Sequence, residues 1–149
     1  LLGLGANFSG KVWPVEQFVA LARTLSGSFD AILLLGNQQE MVLADAFINQ
    51  YRQDANSLPS ANACGQLNLL ETTALLAKAD YFVGNDSGLG HLASAVAVPS
   101  FTVLGVGEPQ RYRPWSANAL WFQDEGHDIQ NVQSAQIADL INTYLRSKE

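Results

Sequence analysis

The sequence predicts an α/β fold in which helices cover both faces of a parallel sheet. Short apolar runs alternate along the chain with segments whose apolar residues recur at helical spacing, the pattern that a parallel sheet with crossover helices produces. The stretch Ala31–Gly36 is apolar without interruption, as expected for a strand that is buried on both faces. The length of 149 residues suits one domain, which at this size can bury a core without disulfides or metal.

The first strand is predicted at about Leu1–Leu4, and a loop leads from it to the first helix. Pro14 suits the first turn of that helix, because an N–H at this position would have no partner within the helix. Gly27 is expected to end the helix. Between these two residues, apolar side chains recur with the i, i+3, i+4, i+7 spacing of an amphipathic helix: Phe18, Leu21, Ala22 and Leu25.

The second and third strands are predicted at about 30–35 and 61–64, and helices that extend to about Tyr51 and Ala79 follow them. Both helices open with a polar residue that has Glu three positions later. This is the spacing of a capping box, in which each side chain hydrogen-bonds to the other residue's backbone. The pairs are Asn37 with Glu40 and Asn68 with Glu71.

The second half of the chain continues the alternation. Strands are predicted at 81–84, 101–104 and 119–122, and helices at 89–96 and 134–145. A tight turn of small and polar residues joins the fourth strand to its helix, and Pro99 follows that helix. Gly105–Ser116 is predicted to be a rigid loop, because prolines and aromatic residues crowd it.

Two glycine-rich loops, Gly3–Gly10 and Gly84–Gly90, follow the first and fourth predicted strands. In a Rossmann-like, three-layer α/β/α sheet of order 3-2-1-4-5-6, the strand order reverses between strands 1 and 4. Ligands bind in the crevice at the carboxyl ends of these two strands. Both loops are therefore predicted to open onto one crevice, and the loop Gly105–Arg113 is predicted to complete its rim.

Composition and missing motifs argue against several other classes of protein. A net charge of −6 with eight Lys and Arg argues against nucleic-acid binding, which depends on a basic surface. One cysteine, Cys64, and two histidines argue against a structural zinc site, and Cys64 is predicted to be a small core residue. No apolar run reaches the roughly 18–20 residues that span a bilayer. Phe8 stands where a dinucleotide-binding fingerprint beginning at Gly3 and Gly5 would need its third glycine.

The stretch Asp86–His91 is the most informative for function. Backbone N–H groups at the start of the helix that follows the turn favour an anion such as a phosphate. Gly88 and Gly90 remove side chains that would keep such a group away. The structural alternative is a plain capped turn with Asp86 or Ser87 as the N-cap.

Three further residues near the predicted crevice have both a functional and a structural interpretation. Lys11, in the facing loop, either binds phosphate or is a solvated surface lysine. Glu40 either accepts hydrogen bonds from a ribose diol or only completes the capping box with Asn37. His91 either contacts the ligand or is a half-buried structural residue of its helix.

The motifs that carry a family resemblance run in order from residue 2 to about residue 115. They are Lys11-x-Trp13-Pro14-x-x-x-Phe18, Leu35-Gly36-x-x-x-Glu40, Gly65 with Leu69 and Leu75-Leu76, Asp86-Ser87-Gly88-x-x-His91 within Asp80–His91, and finally Pro99, Gly105 and Pro109. In this order and spacing they resemble the C-terminal half of glycosyltransferase family 9, the ADP-heptose:lipopolysaccharide heptosyltransferases. The block from Asp80 to Pro99 is the specific part of the match.

The resemblance implies the C-terminal half of a GT-B fold, which has two Rossmann-like domains with the active-site cleft between them. Residues 1–149 would form a single nucleotide-sugar-binding domain, a fragment of a longer two-domain enzyme. The family pattern assigns the donor, ADP-heptose, to these residues: Ala6, Asn7 and Lys11 at the diphosphate, Ser87 and Gly88 on its other side, Glu40 at the ribose, Leu67 near the base, Asp86 at the sugar, and His91 as a further signature residue. The family usually has Thr in place of Ser87, which keeps the hydroxyl, and often has hydroxyl residues in place of Ala6 and Asn7. Because Ala6 cannot donate a hydrogen bond, the affinity for phosphate or the identity of the donor stays open.

The implied activity is an inverting glycosyl transfer in the synthesis of bacterial lipopolysaccharide core or a related surface glycan. The catalytic base belongs to the N-terminal, acceptor-binding domain, so no catalytic residue is expected in this chain, and the chain alone is expected to transfer nothing. No metal or cofactor is implied. The acceptor is a lipid-linked glycan, and the enzyme is expected in the cytoplasm, peripheral at the inner face of the inner membrane. The alternatives are a GT-B-like sugar-nucleotide epimerase and a non-catalytic nucleotide-binding module.

Overall fold

The computed structural model describes residues 1–148, which form a six-stranded sheet with helices on both faces. The strands are β1 Leu2–Gly3, β2 Ile32–Leu34, β3 Ser60–Asn62, β4 Phe82–Asn85, β5 Ser100–Leu104 and β6 Ala119–Gln123. The helices are α1 Val15–Thr24, α2 Met41–Tyr51, α3 Leu69–Leu76, α4 Gly88–Ala95, α5 Pro109–Tyr112 and α6 Ser134–Arg146. The sheet order is β3-β2-β1-β4-β5-β6 with every pair parallel, which confirms the predicted fold class and strand order.

The order reverses between β1 and β4, which lie side by side at the centre of the sheet. Their parallel pairing brings Leu2 opposite Val83 and Gly3 opposite Gly84. Because all strands run in the same direction, their carboxyl ends meet at one edge of the sheet. The loops that follow β1, β2, β3, β4 and β5 therefore begin at this edge, which we call the carboxyl edge.

The sheet divides the core into two apolar layers, because successive side chains of a strand point to opposite faces. On one face, α1, α2 and α6 pack over strand residues that include Leu34, Val83 and Phe101. On the other face, α3 and α4 pack around Leu35 and Phe82. Burial on both faces explains why β2 and the residues around it are apolar without interruption. None of the helices in residues 1–148 is long and apolar enough to cross a membrane.

Both predicted capping boxes are present. Asn37 Oδ1 accepts the backbone N–H groups of Gln39 and Glu40, and the Glu40 carboxylate accepts the N–H of Asn37 in return. This box closes a short 3₁₀ turn that leads into α2. Asn68 and Glu71 exchange the corresponding bonds at the start of α3.

The boundaries of several elements differ from the prediction. Within the predicted loop 105–116, four residues form the helix α5. Pro109 opens it, because proline has a helical φ and needs no N–H partner at a first position. Helix α1 begins after Pro14 and ends at Thr24, with a 3₁₀ turn at Ser26–Ser28 in place of its predicted last turn. Strand β3 begins one residue and ends two residues earlier than predicted, and α3 ends three residues earlier.

Candidate functional site

The sequence-predicted binding residues lie at the carboxyl edge, in the loops and turns that follow four neighbouring strands. Ala6, Asn7 and Lys11 follow β1, Glu40 follows β2, Leu67 follows β3, and Asp86, Ser87 and Gly88 follow β4. His91 lies within α4, on its exposed side. The structure therefore brings all of these residues to the predicted edge of the sheet. Their contacts with a ligand stay predictions.

The N-terminus of α4 is open at this edge. Ser87 occupies the N-cap position with extended backbone (φ −147°, ψ 169°), but its side chain makes no capping hydrogen bond. Its Oγ is buried and has no hydrogen-bond partner within residues 1–148. A Cβ at Gly88 would meet no atom within 4 Å, so free space begins at the first residue of the helix. Ser87 therefore holds the predicted N-cap position but does not cap the helix with its side chain. The N–H groups of this first turn favour an anion, and the binding of one stays a prediction.

Lys11 and Asp86 form an ion pair across the crevice, with 2.6 Å between Lys11 Nζ and Asp86 Oδ2. The Lys11 side chain is 23% exposed and the Asp86 side chain 8% exposed, so water screens the pair only in part. The interpretation of Lys11 as a solvated surface lysine is therefore wrong. A lysine ammonium has three N–H donors, and Asp86 takes one of them.

Asn85, at the end of β4, ties the loop of Lys11 to the central strands. Its buried amide accepts the backbone N–H of Trp13 (3.1 Å) and donates to the carbonyl of Leu4 (2.7 Å). Trp13 is itself buried and packs edge-on against Phe18 of α1, with ring centroids 4.8 Å apart. The sequence pattern did not single out Asn85. The signal that could have done so is a polar residue that closes an otherwise apolar strand.

The Glu40 carboxylate fills the space between the ends of β1 and β2. Glu40 Oε2 accepts the N–H of Asn37 at 2.9 Å, so the predicted structural role is confirmed. The same carboxyl group lies where a Cβ on Gly5 or on Gly36 would stand. A side chain at either position would push the Glu40 carboxylate out of its place in the capping box. The hydrogen bond to a ribose stays a prediction.

The loop after β3 contributes apolar side chains to the edge. Leu67 is half-buried and packs against the apolar layer beneath α3 and α4.

Burial raises the pKa of the Cys64 thiol to about 11, and the negative charges of Glu40 and Asp45 act in the same direction. A thiol that stays protonated is a poor nucleophile and a poor metal ligand. Cys64 is buried, as predicted for a core residue.

The loop after β5 meets the loop after β1 at the predicted rim. The backbone of Gly10 lies where a Cβ on Gly105 would stand, so the two chains are in direct contact. The Gln123 side-chain amide fixes the loop by donating to the carbonyls of Gly105 (2.6 Å) and Gly107 (2.9 Å). The Lys11 ammonium lies 5.4 Å from the ring centroid of Tyr112, a residue that the sequence pattern did not identify.

A separate cavity lies at the opposite, amino edge of the sheet. It has a volume of about 400 Å³, and apolar side chains that include Leu21, Leu25 and Phe29 form most of its wall. Tyr81 also lines it, and burial raises the pKa of this phenol to about 12, with the charge of Asp80 adding to the effect. An apolar wall offers little to a phosphate or a sugar. The residues suited to such ligands are gathered at the carboxyl edge.

Comparisons with known proteins agree with the sequence motifs. The profile of glycosyltransferase family 9 (heptosyltransferase) matches residues 1–140. Lipopolysaccharide heptosyltransferase 3 of Escherichia coli is 28% identical over 113 residues, which cover 75% of this chain and 32% of that protein. Lipooligosaccharide heptosyltransferase 2 of Haemophilus influenzae is 31% identical over 116 residues, which cover 77% of this chain and 33% of that protein. The chain thus spans about a third of the length of these curated relatives.

Solved structures of heptosyltransferases have the same fold. Escherichia coli ADP-heptose lps heptosyltransferase II matches with a TM-score of 0.88 at 22% identity, over 99% of this chain and 46% of that one. The Escherichia coli heptosyltransferase WaaC with ADP matches with a TM-score of 0.82 at 23% identity, over 95% of this chain and 43% of that one. The structures confirm the fold, and the profile that spans nearly the whole sequence confirms the resemblance. The chain therefore belongs to glycosyltransferase family 9, the heptosyltransferase family.

Proposed function

We propose that this chain is the donor-binding half of an inverting glycosyltransferase that acts in the synthesis of lipopolysaccharide core or a related bacterial surface glycan. The donor is a nucleotide-sugar, with ADP-heptose as the first candidate. The observation that carries the proposal is the open N-terminus of α4 beside Lys11. Helix N–H groups and an ammonium together make a site for a diphosphate.

The order of the candidate residues along the edge supports a nucleotide-sugar. Leu67 after β3 would lie near the base, Glu40 after β2 at the ribose, Lys11 after β1 at the diphosphate, and Asp86 after β4 at the sugar. The sheet order β3-β2-β1-β4 matches the order of these groups along the ligand. Three strand spacings of about 4.8 Å amount to about 14 Å, a length that suits an extended nucleotide-sugar.

The ion pair between Lys11 and Asp86 supports a division of roles between the two residues. Asp86 takes one N–H of the ammonium and leaves the others for phosphate oxygens. The carboxylate would otherwise repel a diphosphate, and the adjacent positive charge offsets this repulsion. An ionised carboxylate also accepts several hydrogen bonds, so Asp86 can bind Lys11 and a sugar hydroxyl at the same time.

Exposed apolar side chains around the site support a second domain that covers this edge. Large apolar residues are exposed in the loops or first helical turns that follow strands β1, β2, β3 and β5: Phe8, Val42, Leu69, Leu70, Val106 and Tyr112. An apolar rim of this kind is typical of an interface. The chain matches only about a third of the length of its relatives, which agrees with an acceptor-binding domain outside these residues.

The proposed chemistry divides between the two domains. A base from the acceptor domain removes the proton of an acceptor hydroxyl, which attacks the donor sugar from the side opposite the phosphate. The leaving diphosphate gains negative charge in the transition state, and Lys11 and the first turn of α4 stabilise that charge. The present chain therefore supplies donor binding and leaving-group stabilisation, and it provides no base for the acceptor.

A methyl group at Gly88 tests the proposal without disturbing the fold. Free space surrounds the Cβ position, so Gly88→Ala is expected to keep the stability of the ligand-free chain. The methyl group would stand where the diphosphate approaches the helix. Loss of a charge-assisted contact corresponds to roughly 1.5–3 kcal/mol, so the affinity for ADP should fall about ten- to a hundredfold.

The matched control is Gly27→Ala, since a Cβ at Gly27 also meets no atom within 4 Å and this glycine lies outside the candidate site. Calorimetric titrations with ADP, GDP, UDP and ADP-heptose would compare both variants with the original chain. The proposal requires tight binding of at least one nucleoside diphosphate and a selective loss in Gly88→Ala. Equal affinities in all three proteins, or glycosyl transfer by this chain alone, would contradict it.

A further inference from the structure

We propose that Tyr112 is a positioning residue that holds the Lys11 ammonium beside the N-terminus of α4, so that the loop after β5 helps to set the affinity for the diphosphate. This inference rests on the proposed function of Lys11. Tyr112 is not among the residues that the sequence motifs assign to the donor. Its ring lies in the segment that follows β5, whereas Lys11 lies in the loop that follows β1.

The geometry around Lys11 Nζ carries the inference. The ammonium lies 2.6 Å from Asp86 Oδ2 and 5.4 Å from the centroid of the Tyr112 ring, so two groups from different loops hold it. A lysine ammonium within about 6 Å of an aromatic centroid is attracted to the ring's electron-rich face. The Arg111 guanidinium lies 5.8 Å from the same centroid and adds a second positive charge to this side of the crevice.

The ring of Tyr112 packs against its own loop, although 44% of the residue is exposed. A Cβ on Gly107 would stand 3.3 Å from the ring atom Cδ2, so the ring packs against the backbone of that glycine, whose φ is +119°. Glu108 accepts the backbone N–H of Tyr112 through its carbonyl at 3.2 Å. Gln123 fixes the carbonyls of Gly105 and Gly107 on the preceding turn.

A lysine side chain loses much rotational freedom when it binds a ligand. The Tyr112 ring and the Asp86 carboxylate restrict Lys11 before the ligand arrives, so less freedom remains to be lost on binding. Removing the ring should therefore weaken the binding of ADP about two- to fivefold, the effect expected of a partly exposed cation–π contact. This loss of affinity for ADP should occur only when Lys11 is present.

The test compares Tyr112→Leu with the conservative variant Tyr112→Phe, each alone and combined with Lys11→Met. The first measurement is made without ligand: the NMR shifts of the Lys11 Cε protons, which an adjacent aromatic ring displaces. The ring-dependent displacement should persist in Tyr112→Phe and disappear in Tyr112→Leu. The second measurement is the affinity for ADP, with thermal stability determined for each variant.

The inference predicts a two- to fivefold loss of affinity in Tyr112→Leu, recovery in Tyr112→Phe, and no further loss from Tyr112→Leu when Lys11 is already Met. An equal loss in the Lys11→Met background would show that the ring acts on the fold or on the ligand directly, and it would overturn the inference. Lys11 shifts that do not respond to Tyr112→Leu would also overturn it. An original chain that shows the ring-dependent shift but binds no nucleoside diphosphate would instead refute the proposed function, and with it the effect of Tyr112 on binding.

Discussion

Replacing Lys11 with Met should destabilise the ligand-free protein, because it removes the only charge that the structure pairs with the Asp86 carboxylate in residues 1–148. Met keeps the apolar stem of the lysine and removes the ammonium, so packing changes little. The Asp86 side chain is 8% exposed, and an unpaired carboxylate in such a position has little water to solvate it.

The expected size of the effect lies between two limits. Exposed ion pairs contribute up to about 1 kcal/mol, whereas removing one partner of a fully buried pair costs about 3–5 kcal/mol. With Lys11 23% exposed and Asp86 8% exposed, we expect Lys11→Met to cost about 1–3 kcal/mol. For a domain of about 150 residues, each kcal/mol lowers the Tm by about 2–4 °C.

The companion variant is Asp86→Asn, which removes the charge that needs a partner. Lys11 can then turn toward solvent, so the loss should stay below about 1 kcal/mol. The double variant should be no less stable than Lys11→Met alone, because the amide that replaces the Asp86 carboxylate has no charge to leave unpaired. Urea denaturation of the four proteins gives the coupling energy, for which we expect about 1–2 kcal/mol. Strictly additive losses would show that the two residues do not interact and would refute the reasoning.

Further predictions concern the packing and the titration of single residues. Gly5→Ala should lower the stability by about 1 kcal/mol, because the new methyl group displaces the Glu40 carboxylate from the capping box, whereas Gly27→Ala should stay within about 0.5 kcal/mol in the same denaturation assay. Equal effects of the two variants would contradict the packing of Glu40 at the strand ends. Ala97→Gly should raise the stability by up to about 1 kcal/mol, because Ala97 has a φ of +60° that glycine adopts without strain, and an unchanged or lower Tm would contradict this. Because the Cys64 pKa is about 11 in the folded chain, against 9.0 for a free thiol, the unfolded chain releases this proton first as the pH rises, so Cys64 should lower the stability from about pH 9 to pH 11. A Cys64→Ala variant should lack this part of the pH dependence, and identical alkaline pH profiles for the two proteins would contradict the raised pKa.

Elements with local or repeated signals could be predicted from the sequence. The capping boxes of Asn37 with Glu40 and Asn68 with Glu71 connect residues three apart, so their spacing alone indicates a helix start. The alternation of apolar runs and amphipathic helices predicted a parallel sheet. With the strand order that is usual for such sheets, the two glycine-rich loops were predicted to meet at one crevice. These inferences need no knowledge of side-chain orientation.

Contacts between distant loops could not be predicted in this way. The ion pair of Lys11 with Asp86 joins residues 75 positions apart, and it depends on how two loops meet at the edge of the finished sheet. The position of Tyr112 beside Lys11 depends in addition on helix α5, whose four residues are too few for a periodic signal. Asn85 was overlooked for a related reason, since its partners Leu4 and Trp13 lie on other elements.

The central claim is that a nucleotide-sugar binds at the carboxyl edge rather than in the large apolar cavity at the amino edge. The most direct measurement is an amide NMR titration of the chain with ADP-heptose. The account predicts saturable shift changes at Lys11, Glu40 and Gly88, while Leu21 and Tyr81 at the opposite edge stay unchanged. Shift changes that concentrate around Leu21 and Tyr81, or an absence of any saturable change, would contradict it.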